Sequence, residues 1–405
     1  MFSLCTNVKS IIVDLDSLAS YLHKTEFKAA LTKLNQRYNL YCVSSGFFTA
    51  FPQFRTVMGD IREPLSFSNN IIVANRLDPV NTVLLAGSTS PNEIAHRFNI
   101  STIFLTENLP ILLNEDNKHL PDAIVDIELL IDLLLNEKKI SYFNELACEK
   151  TGGTGFVHHI GEIRHQLFPD LKANLMLAGR YFVYEDPRHY SHCLSTMISR
   201  LKNFRPYAIN EMAECLEVNI QLTQEELRDE FDLITIVPAK PGCENHLDPV
   251  INHQKLNHHR SKIDSNLLFT VRHYEKQKRA GSFYDRALNV LDAFSSRRKV
   301  SGHVLLIDDV LTSGSTTMEC ARVLYKNGAS KVTILPLSIM QSKSSAPQHK
   351  RLQDDSGTEF RLNFRNSDAN PFWVASDSVF LDYEEGKKRY LNQFSYKDFE
   401  LEFLF

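Results

Sequence analysis

Two adjacent acids and the short polar loop behind them form the most chemically informative string in this sequence. Asp308 and Asp309 follow the apolar run at 304–307. The loop that leads from them into a helical pattern consists of Leu311, Thr312, Ser313, Gly314, Ser315 and Thr316. The N–H groups and hydroxyls of such a loop donate to a phosphate, which the helix dipole also favours. Because carboxylates accept from sugar hydroxyls, the string predicts a sugar-phosphate site; a capped strand-to-helix turn is the structural alternative.

A second pair of acids stands near the start of the chain. Asp14 and Asp16 lie two residues apart at the end of a strand-like segment whose apolar run is 11–13. This spacing allows one carboxylate to attack a phosphate while the other moves a proton, with Mg²⁺ between them. The pair therefore predicts phosphoryl chemistry, or a scaffold derived from it.

Both pairs of acids follow strand-like runs. Along most of the chain, such runs alternate with helix-like segments. Continuous apolar strands separated by helices predict parallel sheets that are covered on both faces. The expected fold class is α/β, with two Rossmann-like parallel-sheet domains and a small C-terminal extension. The expected divisions are a first domain at 1–137, a linker or helical connector at 138–178, a second domain at 179–340 and the extension at 341–405.

Composition favours a globular protein of the cytoplasm. Hydrophobic residues make up 43% of the 405 residues, and 45 basic against 49 acidic residues give a net charge of −4. This balance provides no overall attraction for nucleic acid or an anionic membrane. The seven cysteines form no CxxC pair, which disfavours a zinc ribbon or a disulfide framework and favours a reducing compartment. No segment has the pattern of a signal peptide or membrane span.

Positive charge is concentrated in one segment. Residues 252–299 contain eleven Lys and Arg against four acids, 11 − 4 = +7 in a chain of net −4. This segment is suited to a pyrophosphate, or to a nucleic-acid or protein partner, and an ordinary solvated surface is the alternative. Four nearby histidines show no recognised zinc-ligand spacing, which predicts exposed loop residues: His246, His253, His258 and His259.

The string at 304–316 resembles the phosphoribosyl pyrophosphate (PRPP) motif of type I phosphoribosyltransferases. The surrounding segments are similar to those of ComF-like members: 184–206 with its Leu201–Lys202 pair, 237–242 in place of the pyrophosphate loop, and 269–294. The resemblance implies that Asp308 and Asp309 hold the ribose hydroxyls and Mg²⁺, and that Thr312 to Thr316 hold the 5′-phosphate. It also implies substrate contacts for Ala239, Lys240 and Arg272. The cysteine pairs and the arginine-rich stretch that are usual in ComF-like proteins are absent.

The segment at 8–135 resembles haloacid dehalogenase-like phosphatases. Asp14 and Asp16 match their first motif, Ser44 or Ser45 the second, and Arg76 stands where a lysine is usual. The fourth motif normally places an aspartate after the glycine, whereas Ser88 follows Gly87 here. A hard cation depends on carboxylate charge, so this resemblance implies a degenerate domain, with Glu93 as a candidate replacement acid.

Three functions follow as expectations. The first is a PRPP-dependent transferase that uses Mg²⁺. The second is a non-catalytic sensor of PRPP or a nucleotide, or a partner-regulated effector, and the tandem arrangement is similar to that of effectors in bacterial conflict systems. The third is a phosphatase that acts from the N-terminal domain. Asp308 and Asp309 favour the first function, and Ser88 disfavours the third.

Overall fold

Six parallel strands form the first sheet of the computed structural model. The structure describes residues 7–46, 53–98, 100–107, 111–113, 120–149, 155–165, 168–184, 186, 188–274, 283–341 and 358–366. In spatial order, the strands of the first sheet are Arg55–Met58, Asn39–Ser44, Ser10–Asp14, Thr82–Ala86, Ser101–Leu105 and Ala123–Val125. The chain order reverses between Ser10–Asp14 and Thr82–Ala86, which is where ligands bind in open parallel sheets.

The central strand Ser10–Asp14 shows why this sheet forms. Ile11 and Val13 pack into one apolar cluster and Ile12 into another, so the strand is buried on both faces. Helices cover the sheet at Thr25–Asn35, Asn92–Arg97 and Ile127–Leu135, and a short turn at Pro64–Ser66 continues into a π-helix at Phe67–Val73. Single 3₁₀ turns lie at Ala19–Tyr21 and Pro79–Asn81.

The second sheet is mixed and has a parallel centre. Its spatial order is Leu233–Ile236, His303–Leu311, Lys331–Gln341, Phe168–Leu177, Gly155–His165, Thr358–Asn366 and Ile111–Leu113. The first four strands run parallel, and the remaining pairings along this order are antiparallel. Arg180–Phe182 pairs with Lys331–Gln341, and Ile140–Tyr142 pairs with Gly155–His165. A separate two-stranded sheet joins Leu268–Thr270 to Phe294–Ser296.

Helices cover both faces of the parallel centre. They are Phe143–Glu149, Arg188–Ser191, Cys193–Leu201, Pro206–Leu227, Asp248–Ile251, Phe283–Val290 and Ser315–Lys326, with a 3₁₀ helix at Gln254–Lys262. The strand His303–Leu311 alternates between their cores: Val304 and Leu306 pack on one face, Leu305 and Ile307 on the other. The expected α/β class with two Rossmann-like units is confirmed, although the second sheet carries antiparallel strands beside its parallel centre.

The interval 138–178 differs from the expected linker or helical connector. Ile140–Tyr142, Gly155–His165 and Phe168–Leu177 are strands of the second sheet, and Phe143–Glu149 is the one helix among the described residues of this interval. A strand that hydrogen-bonds to the parallel centre of the second sheet therefore lies before residue 179, where the second domain was expected to begin. Within the extension at 341–405, Thr358–Asn366 pairs with Gly155–His165.

A buried ionic network joins the two sheets. The Arg180 guanidinium is fully buried and donates to Glu145 Oε1 and Oε2 at 2.8 and 2.9 Å. It also donates to Asp122 Oδ1 at 3.0 Å, while Asp122 Oδ2 accepts from the Thr102 backbone N–H of the first sheet at 2.8 Å. Because a buried charge that loses its partner is costly, this network fixes the contact between the units. No helix in the described part of the chain is long and apolar enough to cross a membrane.

Candidate functional site

The polar loop of the candidate site is shorter than the sequence predicts. The strand His303–Leu311 continues through Leu311, and the helix Ser315–Lys326 begins directly after Gly314. Only Thr312, Ser313 and Gly314 connect them. Leu311 was expected to contact substrate, but its side chain is buried in the apolar core. A candidate anion cradle therefore remains at Thr312–Thr316, where the first turn of the helix presents its N–H groups.

Gly314 is the residue that this turn requires. Its φ of +76° lies in the left-handed region, and an added Cβ would lie 2.9 Å from Ile163 Cδ1. The Oγ atoms of Ser313 and Ser315 lie 2.9 Å apart, and the Thr317 hydroxyl donates to the Gly314 carbonyl at 2.9 Å. These contacts hold the backbone of the cradle in one conformation.

The two acids have different partners. Asp309 Oδ2 is 2.9 Å from both Lys202 Nζ, directly after the helix Cys193–Leu201, and His246 Nε2. The Asp308 carboxyl contacts that of Asp309 and lies near Cys320 of the helix Ser315–Lys326. His246, expected as an exposed loop histidine, is instead a half-buried partner of Asp309.

The electrostatics of the two acids differ accordingly. Burial raises the pKa of Asp308, and repulsion by the neighbouring Asp309 raises it further. Burial also opposes ionisation of Asp309, but Lys202 and His246 hold the pKa of that carboxyl well below its usual value. Asp309 therefore makes direct ion pairs, whereas among the described residues Lys202 attracts Asp308 only from a longer distance.

Asp308 fits a hard cation better than Asp309 does. Mg²⁺ prefers carboxylate oxygens, and it binds through one or two carboxylates together with substrate oxygens. Asp308 Oδ1 accepts from the Asp309 backbone N–H at 2.9 Å, and the Asp308 carboxyl also contacts the Asp309 side chain. A cation at Asp308 would also relieve the repulsion from Asp309.

The loop at 237–242 lies at the carboxyl end of the neighbouring strand Leu233–Ile236. The Ala239 carbonyl accepts from the Thr270 hydroxyl at 2.8 Å, and Lys240 Nζ lies 4.7 Å from the centre of the Tyr274 ring. Ala239 and Gly242 line a cavity of about 680 Å³. This placement brings Ala239 and Lys240 to the same edge of the sheet as Asp308.

Arg272 lies elsewhere. Its guanidinium donates to the backbone carbonyls of Asn289 and Leu291 at the end of the helix Phe283–Val290. Capping of these carbonyls engages the guanidinium, so the expected substrate contact is not part of the observed geometry.

Many described cations of the basic segment are also engaged. Lys255 pairs with Glu214 at 2.6 Å, Lys262 with Glu230 at 3.0 Å, and Arg298 with Asp264 at 3.0 Å. Local acids thus offset much of the charge that the sequence concentrates here. Residues 275–282 lie outside the described residues, together with the side chain of Arg286.

The first sheet brings a second group of predicted residues together. Asp14, 1% exposed, stands at the end of its strand, and Asp16 accepts from Ser44 Oγ at 2.6 Å and from the Ser45 backbone at 2.8 Å. Burial raises the pKa of Asp14 despite its bonds to Ser17 and its attraction to Arg62. Burial opposes ionisation of Asp16 too, but its serine hydrogen bonds hold the pKa of that carboxyl below its usual value.

Arg62 is the cation that the sequence analysis missed. Its guanidinium lies 3.3 Å from Asp14 Oδ2 and donates from Nε to Ser90 Oγ at 3.3 Å. Ser88 Oγ lies 3.1 Å from Ser90 Oγ, so serines stand where a metal-binding acid was expected. Arg76, the predicted cation, is exposed in a turn with φ of +52°. The Glu93 side chain lies outside the described residues.

Comparisons with known proteins do not assign this chain to a family. No family model matches the chain, and no curated protein matches it. Among solved structures, the chain is similar to UMP synthase of Leishmania donovani at 14% identity, with a TM-score of 0.23. That similarity covers 82% of this chain and 71% of the other. A similarity at this TM-score supports no argument about fold or function.

Proposed function

We propose that this chain binds PRPP at Asp308–Thr316 with Mg²⁺ and transfers or handles its ribose-5-phosphate group. One observation carries the proposal: Asp308, at the carboxyl end of a central parallel strand, is followed within six residues by the Gly314 turn and a helix N-terminus. The turn would hold the 5′-phosphate, and Asp308 would accept from a ribose hydroxyl or hold the cation.

In a transfer reaction, the bond between C1′ and the pyrophosphate oxygen breaks, and the electron pair leaves with pyrophosphate. A nucleophile then forms its bond to C1′. The residues of this chain would position the sugar and stabilise charge rather than form a covalent bond. Lys240 lies on the neighbouring loop, where it would attract the pyrophosphate, and bound Mg²⁺ would supply further positive charge.

A binding protein without turnover is the second candidate. Asp309 is already paired with Lys202 and His246, and Arg272 is occupied by backbone carbonyls. These contacts reduce the number of side chains that could bind a pyrophosphate. The first sheet supports a scaffold or binding role rather than a phosphatase, because Arg62 pairs with Asp14 and Ser88 replaces the expected acid.

Calorimetric titration with PRPP, with and without Mg²⁺, tests the proposal. Binding is expected to strengthen with Mg²⁺ and to weaken at least about tenfold in Asp308→Asn, since a charge-assisted hydrogen bond contributes about 1.5–3 kcal/mol. Asp132→Asn in the first unit is the matched control and should bind as the wild type does. Equal affinity in wild type and Asp308→Asn would refute the site. Pyrophosphate release with a panel of nucleobases then separates the transferase from the sensor.

A further inference from the structure

A carboxylate and two histidines meet away from the candidate sugar-phosphate site. Glu217 lies on the long helix Pro206–Leu227, while His258 and His259 lie on the 3₁₀ helix Gln254–Lys262. One ligand atom from each residue falls within 4.8 Å of the other two. The sequence did not reveal this group, because Glu217 precedes His258 by 41 residues and His259 by one more.

The separations suit a shared cation. Glu217 Oε2 and His259 Nε2 lie 3.4 Å apart. Ligand atoms about 2.0–2.1 Å from one tetrahedral zinc are separated by roughly the same distance. Both atoms are shielded from solvent, and they face each other as an ion pair. Because metal ligation displaces the proton of a histidine, a divalent cation can take the place of the proton that this pair shares.

The remaining contacts orient these ligands. Gln221, one helical turn after Glu217, donates to Glu217 Oε1 at 2.7 Å, and His258 Nε2 also contacts that oxygen. The Glu217 and His259 side chains are each 12% exposed, whereas that of His258 is 57% exposed. The cluster therefore has a buried side formed by Glu217 and His259, and an open side at His258 that water can reach.

We propose that Glu217, His258 and His259 form a site for a divalent transition metal of the Zn²⁺ type, with solvent in the remaining coordination position. Imidazole nitrogen with a single carboxylate suits Zn²⁺, Co²⁺ or Ni²⁺ better than Mg²⁺ or Ca²⁺, which prefer oxygen ligands. The metal would attach the 3₁₀ helix to the long helix. A 3₁₀ run of nine residues is unusually long and benefits from such an attachment.

Zn²⁺ titration of the full chain, after treatment with a chelator and in the presence of excess Mg²⁺, tests this site. One equivalent is expected to bind, and Co²⁺ in its place should give visible absorption bands of a site with nitrogen ligands. Loss of groups that only orient metal ligands weakens metal binding by about 10–100-fold. Loss of a direct ligand in Glu217→Gln or His259→Ala should therefore weaken it by at least about 100-fold.

Two controls separate this site from other histidines. His273→Ala removes an exposed histidine outside the cluster, and His246→Ala removes the partner of Asp309. Both variants are expected to bind Zn²⁺ as the wild type does. Wild-type affinity in Glu217→Gln, or loss of binding in His246→Ala with retention in His259→Ala, would overturn the proposal.

Hydrogen exchange of the wild-type chain provides a test that does not depend on the folding of any variant. Zn²⁺ should slow amide exchange in peptides that cover Gln254–Lys262, relative to the same peptides in chelator. Unchanged exchange at saturating Zn²⁺ would exclude the attachment of this segment by metal.

Discussion

Replacement of Gly314 by alanine tests whether the cradle depends on this backbone conformation. Gly314 and Gly242 share nearly the same φ, +76° and +77°. A Cβ in the left-handed region costs about 1–2 kcal/mol, so both alanine variants should lose that much unfolding free energy. At Gly242 a Cβ would meet no atom within 4 Å, whereas at Gly314 it would lie 2.9 Å from Ile163 Cδ1. Gly314→Ala should therefore be the more destabilising change.

A double-mutant cycle isolates the contact with Ile163. Ile163→Val removes the Cδ1 atom and by itself costs about 0.5–1.5 kcal/mol. In the double variant with Gly314→Ala, the crowding is relieved, so the combined loss should be smaller than the sum by about 0.5 kcal/mol or more. Denaturant unfolding of the four proteins measures this coupling. Strict additivity, together with equal losses for the two glycine variants, would refute the packing argument.

Three further outcomes are expected. The wild-type chain should not hydrolyse a generic phosphate ester with Mg²⁺, because Arg62 pairs with Asp14; hydrolysis that disappears in Asp14→Asn would contradict this. Burial, and then repulsion by the neighbouring His158 imidazole, lower the pKa of His159 from 6.5 to about 3. As pH falls, the unfolded chain therefore takes up a proton at this histidine before the folded chain does. Its contribution to the unfolding free energy should then fall by up to about 1.4 kcal/mol per pH unit from about pH 6.5 downward, and His159→Gln should flatten the measured profile. Glu145→Gln leaves the buried Arg180 with a weaker partner and should cost about 3–5 kcal/mol in denaturant unfolding, whereas a loss below about 1 kcal/mol would exclude a structural role for the network.

The α/β class could be predicted because its central strands are buried on both faces. The apolar runs at 11–13 and 304–307 contain no alternation with polar residues, which is the pattern of a covered parallel strand. The turn at Gly314 was also visible, because glycine and hydroxyl residues before a helix have a local structural cause.

The strands at Gly155–His165 and Phe168–Leu177 were missed for a physical reason. Both mix polar with apolar residues, and their stability depends on pairing with distant parts of the chain, including Lys331–Gln341. Propensity within a strand is a weak guide when its neighbours supply the packing.

Long-range contacts of the candidate sites were hidden for the same reason. His246 lies 63 residues before Asp309, and Arg62 lies 48 residues after Asp14. No local spacing predicts either pair, because the fold alone brings their atoms together. The candidate site residues at 308–316 were therefore visible in the sequence, while the cations that pair with Asp309 and Asp14 were not.

Amide hydrogen exchange with PRPP and Mg²⁺ tests the central proposal most directly. If the 5′-phosphate binds at the helix N-terminus, the backbone N–H groups of residues 312–317 should exchange more slowly in the complex, and Asp308→Asn should reduce that protection at a fixed PRPP concentration. Exchange in the helix Thr25–Asn35, which covers the first sheet, should remain unchanged. Exchange at 312–317 that is the same with and without PRPP, at concentrations at which calorimetry shows binding, would contradict the assignment of the phosphate to this turn.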